Sequence, residues 1–170
     1  MDNILNLSSG ETEVYFKITG LGNGIESRDE KWFCWCLLNI YIKNRYFCYD
    51  KTDDEVLTLG EVEYLRVTLN NLLNDRIIEK TSIRFIEPDL EFVLFPKYNL
   101  RESKDNIWVK EGMEIIDISV YFIIHLSDMK DGYNGQLFSL PFERIEIEKL
   151  KCYLDEAIIL LNTHWDNYNR

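Results

Sequence analysis

The segment WFCWCLLNIYI, residues 32–42, decides the predicted fold because apolar side chains occupy nearly every position. Side chains alternate between the two faces of a β-strand. One face would carry Trp32, Cys34, Cys36, Leu38, Ile40 and Ile42, and the other Phe33, Trp35, Leu37, Asn39 and Tyr41. The pattern therefore predicts a central strand that is covered, at least partly, on both faces. Asn39 is the polar exception, and its hydrogen-bond partner should show whether its face is covered.

Two further strands are predicted around this segment. Residues 13–19 form a first strand that ends at the glycine-rich residues 20–24, and it should return antiparallel on the central strand. Residues 46–49 follow as a short strand. Asn44 marks either a turn before that strand or a kink in one long strand. Residues 50–55 are expected to form a loop.

Four more strands are predicted in the second half of the chain. Residues 81–86 and 90–95 form a hairpin, because Pro88 favours a turn and cannot donate to a ladder. Residues 113–126 form a long strand whose wholly apolar register faces the core: Ile116, Ile118, Val120, Phe122, Ile124 and Leu126. Residues 136–140 form the last strand, which should end at Pro141. Residues 96–106 lack a pattern and are expected to be an exposed loop.

Two amphipathic helices complete the pattern. Thr58 and Glu61 have the spacing of a capping box at the start of the first helix. Its apolar stripe comprises Leu59, Val62, Leu65, Leu69, Leu72, Leu73 and Ile77. The second helix follows Pro141, and acidic residues enrich its first turns, where carboxylates favour the positive end of the helix dipole. Its apolar stripe comprises Ile147, Leu150, Leu154, Ala157, Ile158 and Leu161.

The element order β-β-β-α-β-β-β-β-α predicts an α+β fold. We expect a single, mainly antiparallel sheet of six or seven strands with both helices packed on it. A length of 170 residues fits one domain, residues 1–170, without a disulfide or metal to stabilise it. Residues 162–170 are polar and are expected to form a tail that frays.

Charge and composition limit the possible partners and location. The chain has 30 acidic against 19 basic residues, a net charge of −11, which argues against direct nucleic-acid binding and favours a basic protein partner. The alternative is that the charge only maintains solubility. No run approaches the roughly 20 apolar residues of a membrane span, and the N-terminus lacks a leader, so a cytoplasmic protein is expected. The four cysteines are expected to be free thiols.

Acidic residues near predicted turns are the candidate partner-binding residues. They form three groups: Asp53, Asp54 and Glu55 before the first helix; Glu87 and Asp89 beside Pro88; and Asp128 and Asp131 in a late turn. One interpretation is that these carboxylates are solvated loop residues. The other is a negative surface that attracts Lys and Arg on a basic partner.

Catalytic and metal sites are not indicated. Cys34 and Cys36 lack the CxxC-type spacing of zinc ligands, and the DMKDG sequence lacks the ligand spacing of a calcium loop. His125 and His164 have no recognisable nucleophile or carboxylate partner in the sequence. We therefore expect no catalytic residues, metal or cofactor.

Three segments carry a resemblance to a known family. WFCWCLLNIYIKNRYFCYD, LTLGEVEYLRVTLNNLLND and IRFIEPDLEFVLFP resemble the WapI family of immunity proteins, small cytoplasmic partners of bacterial toxins. The resemblance implies a non-enzymatic inhibitor that binds the C-terminal domain of a cognate secreted or contact-dependent toxin, often a nuclease. It carries over no contact residues, because the matching motifs are core and turn. The alternative is a small-molecule-binding or regulatory module that uses the aromatic strand face as a pocket wall.

Overall fold

The computed structural model describes residues 4–22, 28–45, 48–102, 108–125 and 137–168. The first sheet is antiparallel and has the strand order β1-β2-β3-β4. Its strands are β1 (Leu5–Ser9), β2 (Thr12–Leu21), β3 (Trp35–Lys43) and β4 (Cys48–Thr58). A 3₁₀ helix, Arg28–Phe33, precedes β3.

Helix α1 (Leu59–Leu73) connects this sheet to the second half of the chain. The second sheet is also antiparallel and has the order β10-β9-β6-β5. A separate two-stranded ribbon pairs β7 with β8, and helix α2 (Arg144–Tyr168) ends the described chain. The remaining strands are β5 (Thr81–Arg84), β6 (Leu90–Phe95), β7 (Tyr98–Asn99), β8 (Ile115–Ile116), β9 (Ser119–His125) and β10 (Leu137–Glu143).

The α+β class with antiparallel pairing is confirmed, but the prediction of one sheet of six or seven strands is wrong. The described strands form sheets of four, four and two. Strands before α1 pair with each other and those after it do the same, as expected when chain neighbours pair. The inner faces of both larger sheets join the helices in one apolar core.

Strand β3 is shorter than the predicted central strand and is buried on one face only. Trp32 and Phe33 lie in the 3₁₀ helix and are 56% and 70% exposed. The buried face consists of Cys36, Leu38, Ile40 and Ile42. The opposite face, from Trp35 to Tyr41, is only partly buried. Strand β3 is therefore apolar on both faces in sequence, but only one face lies in the core and the other is partly exposed to solvent.

Strand β1, at the edge of the first sheet, was not predicted because the N-terminal residues look polar in sequence. Leu5 and Leu7 point into the core, and a tight turn at Gly10, whose φ is +59°, leads to β2. Glycine adopts such a φ more readily than residues with a Cβ. The predicted antiparallel pairing of the next two strands is confirmed by β2 and β3.

The predicted loop at residues 50–55 is instead part of strand β4. Lys43 pairs with Cys48, so residues 44–47 connect two antiparallel strands, and the alternative of one long kinked strand is wrong. The register shifts twice along this pair, between Cys36 and Leu37 and again between Leu38 and Ile40. Pairing with β3 thus overrides the low strand propensity of the acidic residues.

Two predictions after α1 also need correction. The predicted strand at residues 113–126 is interrupted: Ile118 and the apolar register of β9 are buried, but Ile116 lies in the ribbon and is 50% exposed. Pro141 does not end the last strand, which continues to Glu143. Strand β10 is at the sheet edge, where a residue without an N–H is tolerated. The β5–β6 hairpin is confirmed.

Both predicted helices form, but α1 ends at Leu73, so Ile77 of the predicted stripe lies beyond it. The capping box of α1 is confirmed, because Thr58 Oγ1 accepts a bond from the Glu61 N–H and the Glu61 carboxylate accepts one from the Thr58 N–H. Helix α2 runs on to Tyr168 with Trp165 buried, so most of the segment expected as a tail is helical. The Tyr153 hydroxyl of α2 accepts a 2.6 Å bond from the Ile18 N–H beside a bulge in β2.

Candidate partner-binding surface

The outer face of the first sheet combines aromatic, apolar and acidic side chains. Cross-strand partners share a face, and the register pairs Glu13 with Lys43, Tyr15 with Tyr41, Lys17 with Asn39, Tyr41 with Asp50 and Leu37 with Glu55. These residues are exposed or only partly buried. We call this face, together with Trp35 and Asp53, the outer face. The Tyr15 and Tyr41 rings lie in contact at its centre, with centroids 5.8 Å apart.

Asp53 occupies a bulge in β4 that Asn39 stabilises. The backbone of Asp53 has a φ of +50°, which Asp adopts more readily than most residues. Its N–H donates a 2.6 Å hydrogen bond to Asn39 Oδ1. Its carboxylate accepts a 3.0 Å bond from the Thr19 hydroxyl. Asn39 thus bonds to the exposed backbone of Asp53 on β4, which shows that this face is open to solvent.

Lys51 brings together two of the predicted acidic groups. Its ammonium lies 2.8 Å from Asp54 Oδ2 and also contacts the Asp89 carboxylate. Burial alone would lower the pKa of Lys51, but the hydrogen bonds to Asp54 and Asp89 raise it above its ordinary value. One ammonium thus offsets one of the two negative charges, and it holds Asp54 and Asp89 together within the fold.

The other predicted acidic residues have different surroundings. Glu55 is exposed, and its carboxylate lies against Gly22, where a Cβ would overlap it. Glu87 is exposed in the β5–β6 turn. Asp128 and Asp131 lie outside the described residues. The structure therefore does not gather the predicted residues into one cluster.

Four carboxylates on the outer face lack a cationic partner in the described structure. Glu13, Asp50, Asp53 and Glu55 form no ion pair with any other residue in the described ranges. Three of them accept hydrogen bonds from neutral hydroxyls instead: Glu13 from Tyr15, Asp50 from Thr52 and Asp53 from Thr19. The bond to Glu13 and its negative charge raise the pKa of Tyr15. This face therefore has a negative potential.

The outer face of the second sheet has fewer unpaired carboxylates. Arg84 Nε lies 3.4 Å from Glu91 Oε1, and His125 Nε2 lies 3.8 Å from Glu91 Oε2. Glu91 is only 9% exposed, and Arg84 supplies the positive charge beside it. Glu143, at the edge of this face, is exposed and forms no ion pair with a described residue. The described part of this surface therefore has one unpaired carboxylate, against four on the outer face of the first sheet.

The described residues contain no cluster of His, Cys, Asp and Glu that could hold a metal ion. His164 lies beside Gly20, where a Cβ would come within 3.7 Å of its Nδ1. Cys34 and Cys36 are buried, whereas Cys48 and Cys152 are exposed, and all four are free thiols as predicted. No described helix is both long and apolar enough to cross a membrane.

A small apolar cavity lies where the two sheets meet. It is lined by Leu5, Leu7, Val14, Phe16, Phe92, Phe122, Phe142 and Leu150. Its volume of about 10 Å³ is no more than one water needs. The lining belongs to the core rather than to the aromatic outer face of β3, so this cavity does not supply the pocket of the small-molecule alternative.

The sequence profile of the Immunity protein WapI-like family matches residues 5–160. The chain belongs to this family. The match runs from the start of β1 into α2, so the WapI-like region includes both larger sheets, the ribbon and both helices. The resemblance noted in the sequence is confirmed. Neither the curated proteins nor the solved structures contain a match to this chain.

Several residues of the outer face, and Lys51 beside it, were not predicted from the sequence of this WapI-like protein. Lys51 was assigned to a loop, and Glu13 and Asp50 were not considered as contacts. Trp35 and Tyr41 were expected to lie in a covered strand. One signal was available: the alternation Glu13-Val14-Tyr15-Phe16-Lys17-Ile18-Thr19 in β2 is typical of a strand with one face in water.

Proposed function

We propose that this chain is a non-enzymatic immunity protein that binds and neutralises a cognate toxin domain, and that this domain is a basic nuclease. The observation that carries the proposal is the family match over residues 5–160. The net charge of −11 supports a basic partner, since complementary charge accelerates encounter and favours the correct complex. A nuclease is basic where it binds phosphates.

We keep the seven acidic residues named from the sequence as proposed contacts, and we order them by their surroundings. Asp53, Glu55 and Glu87 are exposed and carry no ion pair to a described residue. Asp54 and Asp89 hold Lys51, so a partner would have to compete with that lysine. Asp128 and Asp131 lie outside the residues that the structure describes.

The test is rescue of growth. The toxin domain encoded next to the gene of this chain is expressed from an inducible promoter, with the chain or with an empty vector. We expect growth only with the chain. Intact cellular DNA and RNA in the rescued cells, and degraded nucleic acid without the chain, would support a nuclease target. Failure of rescue would contradict the proposed function.

A further inference from the structure

We infer that the outer face of the first sheet is the surface that binds the toxin, and that its occupant is a basic surface of the toxin domain. This inference rests on the proposed function and assigns it to one location. The outer face has Trp35, Leu37 and Tyr41 at its centre, with Glu13, Asp50, Asp53 and Glu55 around them.

The composition of the face is that of an interface rather than of ordinary sheet surface. Tyr and Trp are enriched among the residues that dominate binding energy, because they bury a large area at low entropic cost. Trp35, Leu37 and Tyr41 occupy three of the four partly exposed positions on this face of β3, and Asn39 occupies the fourth. A sheet face that met only water would normally carry polar residues at these positions.

Charge complementarity identifies the occupant. The outer face carries four carboxylates against two lysines, Lys17 and Lys43. None of the four carboxylates is neutralised by an ion pair inside the described structure. The face therefore attracts Lys and Arg side chains, which can bind the carboxylates while an apolar group covers the aromatic centre.

A second exposed apolar surface competes for this assignment. The β7–β8 ribbon and the described residues between its two strands expose Tyr98, Trp108, Met113, Ile115 and Ile116. Two ion pairs lie beside it, Arg101 with Glu114 and Arg144 with Asp117. The other exposed charges near it are two acidic and two basic residues, Glu102, Glu111, Lys97 and Lys110. The described residues of this surface thus have apolar area but no excess of acid, so a basic partner favours the outer face of the first sheet.

The experiment measures binding of the purified toxin domain encoded next to the gene to matched variants of the full chain. Tyr41→Ala tests the aromatic centre, and its controls are Tyr64→Ala and Trp108→Ala, which remove exposed aromatics elsewhere. Asp50→Lys combined with Glu55→Lys tests the carboxylates around this centre. Its control is Glu111→Lys combined with Glu143→Lys, which changes the net charge equally at exposed sites off this face. Melting temperatures verify that each variant is folded.

We expect Tyr41→Ala to weaken binding about tenfold. The Asp50 and Glu55 reversal should slow association about tenfold at low salt and reduce its dependence on salt. The controls should stay within about threefold of the wild type. If Tyr41→Ala does not fold, the charge-reversal pair alone decides the question.

The two proposals fail in different ways. Wild-type binding with unchanged outer-face variants, or with a loss confined to Trp108→Ala, would overturn the assignment of this face and leave the immunity function standing. A wild-type chain that neither binds the toxin domain nor rescues growth would overturn both.

Discussion

The ammonium of Lys51, on β4 of the first sheet, forms an ion pair with the carboxylate of Asp89, the residue immediately before β6 of the second sheet. Their side chains are only 14% and 16% exposed. Asp54 is the second partner of this ammonium. The ion pair thus connects two sheets that the sequence had predicted as one, and it uses residues that had been assigned to separate loops.

Replacing Lys51 with Met should destabilise the fold by about 1–3 kcal/mol, mainly because it leaves the mostly buried carboxylate of Asp89 without its cation. Asp54 also loses this partner, but its side chain is 45% exposed and water can solvate it. Urea denaturation at pH 7 measures the loss. Lys149→Met is the control: Lys149 is 52% exposed and 3.9 Å from Glu146, so its loss should cost less than about 0.5 kcal/mol. If Lys51→Met and Lys149→Met lower the stability equally, the Lys51 ion pairs do not stabilise the fold more than an exposed pair does.

Leu37 and Leu38 are neighbours on β3 that point to opposite faces. Leu38 is 1% exposed, so Leu38→Ala should cost about 2–5 kcal/mol through lost burial and a residual cavity. Leu37 is only partly buried, and Leu37→Ala should cost less than about 1.5 kcal/mol. Denaturant titration compares the two variants. A larger loss for Leu37→Ala would mean that the outer face is covered.

Glu61 connects the start of α1 to the chain before β6. Its carboxylate accepts bonds from the Thr58 N–H at 2.8 Å and from the Ile86 N–H at 2.6 Å. Glu61→Ala should therefore cost about 1–3 kcal/mol, more than the loss of a capping box alone. Glu61→Gln retains one carbonyl acceptor and should recover part of the stability. Thermal unfolding of the wild type, Glu61→Ala and Glu61→Gln measures these differences in stability.

Cysteine reactivity should divide the four thiols into two pairs. Burial raises the pKa of Cys36 to about 12, and Cys34 is also buried, whereas Cys48 and Cys152 are exposed. Brief treatment of the native chain with iodoacetamide should modify only the exposed pair, and all four should react in urea. Peptide mass spectrometry identifies the sites. Rapid native modification of Cys36 would contradict its place in the core.

The Asp117–Arg144 pair should stabilise the fold only above acidic pH. Hydrogen bonds from Arg144, at 2.8 and 2.7 Å, lower the pKa of Asp117 to about 2 from an ordinary value of 3.8. A lowered pKa gives stability that is present above about pH 4 and is lost as the pH falls toward 2. Because Asp117 is 53% exposed, the contribution is below about 1 kcal/mol.

Arg144→Gln tests this pH dependence. The stability difference between wild type and Arg144→Gln should be largest near neutral pH and should narrow as the pH falls from 4 to 2.5. Urea denaturation at several pH values measures it, and high salt should reduce the difference at pH 7. A difference that does not change with pH would mean that Arg144 acts through packing rather than through its charge.

Local sequence patterns determined several elements of this fold. Thr58 and Glu61 have the spacing of a capping box, and their hydrogen bonds form in the structure because they need only neighbouring residues. Pro88 and the two flanking apolar runs likewise determined the β5–β6 hairpin. The apolar register of β9 identified its core face, since alternation is a property of each strand alone.

Tertiary pairing decided the rest. Residues 50–55 are polar, and only the ladder with β3 makes them a strand. Both faces of β3 are apolar in sequence, so alternation alone cannot show which face is buried; the core lies on the side of Cys36 and Leu38. Lys51 and Asp89 are 38 residues apart, and their ion pair requires two sheets to meet. The WFCWCLLNIYI segment was sufficient to predict a strand, whereas its open, acidic outer face follows only from contacts between residues distant in the chain.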